Sequence, residues 1–112
     1  MKMSRRIRLE KTNKIQTYLG FSIKNRSIVY GLDNIWSCRK HLYVIVVGDN
    51  LTEKNQSKIL NFAKSKNCTL TKVEGCFGEL IGRPSCKLAG VTDKNLAQAI
   101  INGTDIIYKG EL

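Results

Sequence analysis

Residues Leu42-Tyr43-Val44-Ile45-Val46-Val47 form the one six-residue apolar run in the chain. This run limits the possible folds more than any other stretch. Four of its six residues are β-branched, which restricts χ1 and favours an extended backbone. Polar and apolar residues do not alternate along it, so both faces of a strand built here need cover. That is the pattern of an interior strand flanked by helices, not of a hairpin with one wet face. Gly48-Asp49-Asn50 then supplies turn chemistry, and the rest of the chain has to provide the neighbouring strands and covering helices.

The flanking sequence supplies them in alternation. Ile15, Tyr18, Leu19 and Ile23 recur at helical spacing, with Thr12 or Asn13 as a cap and Lys24-Asn25-Arg26 as a stop in which Asn25 suits a left-handed turn. Ser27 to Tyr30 reads as a short strand closed by Gly31, and a second helix runs from Leu32-Asp33-Asn34 to Arg39-Lys40-His41. After the apolar run, Thr52 caps a helix with Ile59, Leu60, Phe62 and Ala63 on its apolar side and Asn67 as its end. Thr69 to Val73 alternates as a strand, with Leu70 on one side and Thr71 and Val73 on the other. Glu74 through Gly82 reads as a short helix broken at Arg83-Pro84-Ser85. Cys86 to Val91 is a further strand. Thr92 or Asp93 caps a last helix that stops at Asn102-Gly103. Ile106-Ile107-Tyr108 fits either an edge strand or a strap. The alternation predicts a three-layer α/β/α sandwich around a mixed four-stranded sheet, with 11–112 as one domain behind a basic arm at 1–10.

Charge narrows the function. Lys and Arg number 19 against 9 acids, a formal charge of +10 on 112 residues, which favours a polyanionic partner whose counterions are released on binding. No apolar stretch approaches the roughly 20 residues needed to cross a bilayer. The basic start at Met1 to Arg8 is followed by no hydrophobic segment, so a cytoplasmic protein without membrane partners is expected. Cys38, Cys68, Cys76 and Cys86 lie too far apart for zinc-ligand spacing, and His41 is the single histidine. No metal and no cofactor are therefore expected, and the thiols read as small reduced hydrophobes. Asp49, Glu74 and Asp93 fall near strand ends, where α/β enzymes place their chemistry. However, no Gly-x-x-x-x-Gly-Lys-Ser/Thr loop is present, His41 has no orienting acid nearby in sequence, and the cysteines have no activating context. The expectation is a protein without catalytic residues or a small-molecule substrate.

Three stretches together, with Gly31 ahead of them, carry a family likeness: Leu42 to Val47, Phe77-Gly78-Glu79-Leu80-Ile81-Gly82, and Leu88-Ala89-Gly90-Val91-Thr92-Asp93-Lys94-Asn95-Leu96-Ala97. In order and spacing they resemble the ribosomal protein family L-seven-Ae/L-thirty-e over about residues 14–101, with its bacterial YlxQ-like members the nearest subgroup. The resemblance implies an α/β/α sandwich that binds kink-turn, ribosomal or related structured RNA. It places one contact at the head of the second helix, Gly31, Leu32, Asp33, Asn34 and Ser37, and another at Arg83, Pro84 and Ser85. Gly31 would allow close backbone approach, and the Asn34 amide can read an exposed base edge. Lys24, Arg26, Arg39 and Lys40 are expected beside this corner as backbone-holding cations.

The chain departs from the family at the helix head. Archaeal kink-turn binders have an Asn-Glu pair followed three residues later by a Lys, where this sequence has Asp33, Asn34 and Ser37. Structured RNA stays the expected partner, without the standard kink-turn being specified. Asp33 reads equally as a first-turn acid, and Trp36 reads either as a base-stacking platform or as a residue packed on the sheet. The rival function is a protein-interaction module that kept the fold and lost its RNA.

Overall fold

The apolar run becomes the buried axis of the molecule. The computed structural model describes residues 14–49, 51–75, 77–83 and 85–110. The basic arm at 1–10, the cap at Thr12 or Asn13, and Pro84 lie outside the described residues. Helix α1 covers 14–24. It is followed by β1 (Ile28–Tyr30), α2 (Leu32–Ser37), β2 (Val44–Val47), α3 (Glu53–Lys66), β3 (Thr69–Lys72), α4 (Phe77–Leu80), β4 (Leu88–Val91), α5 (Lys94–Asn102) and β5 (Asp105–Tyr108).

The sheet is mixed and has five strands in the order β1-β4-β2-β3-β5, not the four expected. The fifth is β5, whose pairing with β3 settles the strand-or-strap question at Ile106 to Tyr108. Only β2 and β3 run parallel; the other neighbours are antiparallel. The register defines two ends. Ile28 and Val44 both lie opposite Val91, and Thr69 lies opposite Val44; this is the Val44 end. Tyr30 lies opposite Ala89, while Val47 lies opposite both Leu88 and Lys72; this is the Tyr30 end. With 4 residues per main strand, the ends are about 10 Å apart.

All four β2 residues are buried, and they alternate between two cores. Val44 and Val46 join Ala89, Val91, Phe77 and the apolar sides of α1 and α5, including Leu19, Ala97 and Ile100. Ile45 and Val47 join Leu70 and Leu88 with Ile35 from α2 and Ile59 and Ala63 from α3. Helices therefore cover both faces of the sheet. Thr52 Oγ1 accepts the Asn55 N–H at 3.3 Å, Asn67 ends α3 at φ 53°, and Asp93 Oδ1 accepts the Leu96 N–H at 3.0 Å, as their residue types indicate.

β2 and β4 begin at Val44 and Leu88, two residues after the expected Leu42 and Cys86, and helix boundaries differ from expectation for local reasons. The left-handed residue that closes α1 is Arg26, with φ 55°, not Asn25; the Ser27 N–H reaches back to Ser22 O at 2.9 Å in the six-to-one bond of a Schellman stop. Helix α2 ends at Ser37 because Cys38 takes an extended conformation and residues 38–43 lead into β2. Helix α4 does not include Glu74 and Gly75, because Asp49 and Gly75 exchange hydrogen bonds: Asp49 N–H to Gly75 O at 2.9 Å and Gly75 N–H to Asp49 Oδ2 at 2.8 Å.

At the sheet edge, Ile106 and Ile107 are both exposed, and beyond β5 the buried Gly110 N–H donates to Thr69 Oγ1 at 3.0 Å. Within β3, Thr71 is fully buried and its hydroxyl has no partner among the described residues. An unsatisfied buried hydroxyl costs stability that a methyl of the same shape does not. Thr71→Val should therefore stabilise the fold by about 1 kcal/mol, read as a higher urea midpoint at unchanged m-value; a lower midpoint would mean that the hydroxyl has a partner.

Candidate nucleic-acid interface

At the Tyr30 end, Gly31 turns β1 into α2. It has φ 80° and ψ 161°, a combination essentially restricted to glycine. Its N–H donates to Leu88 O and its carbonyl accepts from the Ile35 N–H, both at 3.1 Å. β4 and the first helical turn thus hold it from two sides. Leucine 32, half-buried, packs against the α2–α3 core. Asp33 and Asn34 are exposed. The Asn34 Nδ2 donates to Tyr30 O at 2.7 Å, which orients the amide and leaves it a second hydrogen and a carbonyl face. Ser37 Oγ donates to Asp33 O at 2.9 Å and so closes onto its own helix. Helix α2 has 6 residues and spans about 9 Å, so few peptide dipoles align in it and the corner draws little field from them.

The second expected segment reaches the same corner. The Arg83 guanidinium lies over the Tyr30 ring, 4.2 Å from its centroid, in cation–π geometry. Its backbone N–H donates to Gly78 O at 2.8 Å, and its carbonyl accepts the Cys86 N–H at 2.9 Å. Ser85 is exposed in this loop. Gly78 is what lets the loop fold onto α4: a Cβ there would collide with the carbonyl oxygens of Arg83 and Cys86, the latter at 2.7 Å. Gly31, Asn34 and Arg83 are therefore brought together, with Tyr30 as the shared neighbour that the sequence reading missed.

Lys24, Arg26, Arg39 and Lys40 are not part of this corner. Lys24 and Arg26 lead into Ile28, and Arg39 and Lys40 lead into Val44, with the Tyr43 N–H tied to Val91 O at 2.9 Å. All four therefore belong to the Val44 end. Asp33, Asp49, Glu74 and Asp105 stand at the Tyr30 end beside Lys72, Arg83 and Lys87. Asp49 Oδ1 lies 3.0 Å from Lys72 Nζ. The Gly75 N–H, followed by Lys72, holds the Asp49 carboxyl below the ordinary carboxylate range. No sequence signal gives this sorting of charge, because it depends on strand order.

The Val44 end is basic. Lys24, Arg26, Arg39, Lys40, Lys66 and Lys109 gather there by register, and Asp93, the acid that joins them among the described residues, serves as the α5 cap. Trp36 does not enter the core beside Ile35; it stacks on Phe62 of α3 at 4.7 Å between centroids and 20° between planes, and stays 44% exposed. Among the described residues no group of three His, Cys, Asp or Glu side chains assembles for a metal, and no helix is long and apolar enough to cross a membrane. The Cys68 thiol is buried and pushed up to about 11, which makes it a poor nucleophile at neutral pH.

No family model and no curated protein matches this chain. A solved structure, described as that of a protein with unknown function from Bacillus halodurans, is similar to it with a TM-score of 0.73 at 16% identity, over 80% of this chain and 95% of the other. At that identity the likeness concerns the fold alone.

Gly31→Ala should cost about 1–3 kcal/mol from backbone strain, since an added Cβ would meet no atom within 4 Å; an unchanged urea midpoint would show that the corner relaxes without loss. Acid titration tests the Asp49 clamp. Its folded-state pKa lies below the unfolded value, so its contribution is complete above the ordinary carboxylate range and is lost as pH falls through the folded value. Urea melts at neutral and acid pH should show a smaller drop for Asp49→Asn than for the unaltered chain.

Proposed function

We propose that this chain is a non-enzymatic, cytoplasmic RNA-binding protein that holds structured RNA of the kink-turn-like or ribosomal kind, with no cofactor. The arrangement of helices on both faces of the sheet agrees with the three-layer α/β/α sandwich that the family resemblance implies. The contact surface is the corner of Gly31, Asp33 and Asn34 with Arg83 and its loop. One observation carries the reading: Arg83 rests on the Tyr30 ring at 4.2 Å, which joins the two chain segments that the resemblance assigns to RNA. In this arrangement Arg83 meets a phosphate, while the Asn34 amide, already held by Tyr30 O, meets the edge of an unpaired base. The overall charge of +10 draws the polyanion in at long range.

Asp33, Asp49, Glu74 and Asp105 at this end of the sheet favour the rival, a module whose corner engages protein instead. Filter binding with a bulged RNA and a duplex DNA across a salt series separates the two. The RNA reading expects a preference for the bulged RNA and a loss of about 1–3 kcal/mol in Asn34→Ala. It also expects Arg83→Ala to weaken binding and flatten the salt dependence by about one phosphate. Equal affinity for both nucleic acids, unmoved by either substitution, would leave the protein-binding module.

A further inference from the structure

The basic Val44 end carries a second surface, separate from the corner. A groove there lies between the α2–β2 connection and the last turns of α3, lined by Arg39, Lys40, His41, Leu42, Phe62 and Lys66. Arg39, Lys40 and Lys66 are exposed, and none of the three has an ion-pair partner among the described residues. Phe62 connects the groove to Trp36, whose ring it covers on one side at 4.7 Å. His41 stands edge-on to Tyr43 at 4.6 Å between centroids, so aromatic rings and cations interleave around this groove.

We propose that this groove binds a single-stranded RNA segment, with Arg39, Lys40 and Lys66 on its phosphates and a base stacked on the exposed surface of Trp36. The chemistry is that of a sequence-tolerant strand binder, in which cations track the backbone and aromatic rings accept any base face. Trp36 covers one ring face on Phe62 and leaves the rest of its surface open to a ligand. It stays 44% exposed while Ile35 beside it is fully buried, so the helix presents the larger ring outward. A duplex offers no free base face, and an acidic protein would satisfy the cations but not the rings. The inference rests on the RNA-binding reading only for the choice of RNA over DNA. The surface lies at the other end of the sheet, about 10 Å away, and the corner residues take no part in it.

Trp36 is the sole tryptophan, so the intrinsic indole fluorescence of the intact chain reports on this site directly. A short fluorescein-labelled oligouridylate is the probe, followed by its anisotropy and by Trp36 quenching. Quenching is expected, with log affinity falling against log salt at a slope of about −2 for three phosphates on a single strand. Arg39→Glu with Lys40→Glu should weaken binding by tenfold or more. Trp36→Ala should weaken it by about tenfold, and Trp36→Phe should restore most of the loss. Asn34→Ala and Arg83→Ala should leave oligouridylate binding unchanged, so failure of bulged-RNA binding with quenching intact would remove the corner and keep the groove. Absence of quenching overturns the proposal. So does heparin, a polyanion without bases, binding as tightly as oligouridylate and with the same indifference to Trp36→Ala.

Discussion

Burial of β2 on both sides is the constraint on which the rest of the structure depends. Val44 and Val46 serve one core while Ile45 and Val47 serve the other, and the strand is hydrogen-bonded to a neighbour along each edge. In that position a polar side chain on either face costs stability unless it is hydrogen-bonded. Its side chains set where α3 and α5 can lie, and its ends set where every connecting loop begins. The placement of charge follows from this. Each loop is assigned to one end of the sheet by the direction in which its strand runs, so residues distant in sequence gather at one end while near neighbours are sent to opposite ends.

That sorting gives the molecule two chemically distinct ends. At one, a glycine-started turn, an oriented Asn34 amide and Arg83 on Tyr30 form a small corner, at an end where Asp33, Asp49, Glu74 and Asp105 face Lys72, Arg83 and Lys87. The other is cationic and holds a tryptophan that stays partly exposed outside the core. The combination suits a protein that reads little sequence itself: the corner offers a few geometrically fixed groups, and the basic end offers attraction with little discrimination. Under the proposed RNA-binding function, the two ends would act on the same RNA, one on a folded element and the other on the strand leaving it.

Local chemistry was legible in the sequence. The apolar run, the caps at Thr52 and Asp93, and the left-handed stop at Asn67 all stand where their residue types place them, because each depends on a few neighbouring atoms. Leu70 and Val73 face opposite cores, as their alternation indicates. β5 could not be read in this way, since Ile106 and Ile107 are both exposed and no burial period marks the strand. Arg26 in the left-handed region, against the preference that favours Asn25, is fixed by the bond from Ser27 to Ser22 and not by residue type. The site was half legible. The Gly31–Asn34 turn and the Arg83 loop meet, but Lys24, Arg26, Arg39 and Lys40 do not join them, because strand order and direction are properties of the whole sheet.

β5 also sets how the molecule opens. It hangs on β3 by an irregular ladder with a shift between Leu70 and Thr71, buries little side chain, and is pinned beyond its far end by the Gly110 N–H on Thr69 Oγ1. Releasing it removes only Tyr108 from the α2–α3 core, whereas releasing β2 uncovers both cores. Amide protons on this edge are therefore the first of the sheet to be surrendered to deuterium through small local fluctuations, while those of Val44 to Val47 wait for the whole molecule to come apart. The sheet breathes from one margin, and the margin that breathes is remote from β1 and the Gly31 turn.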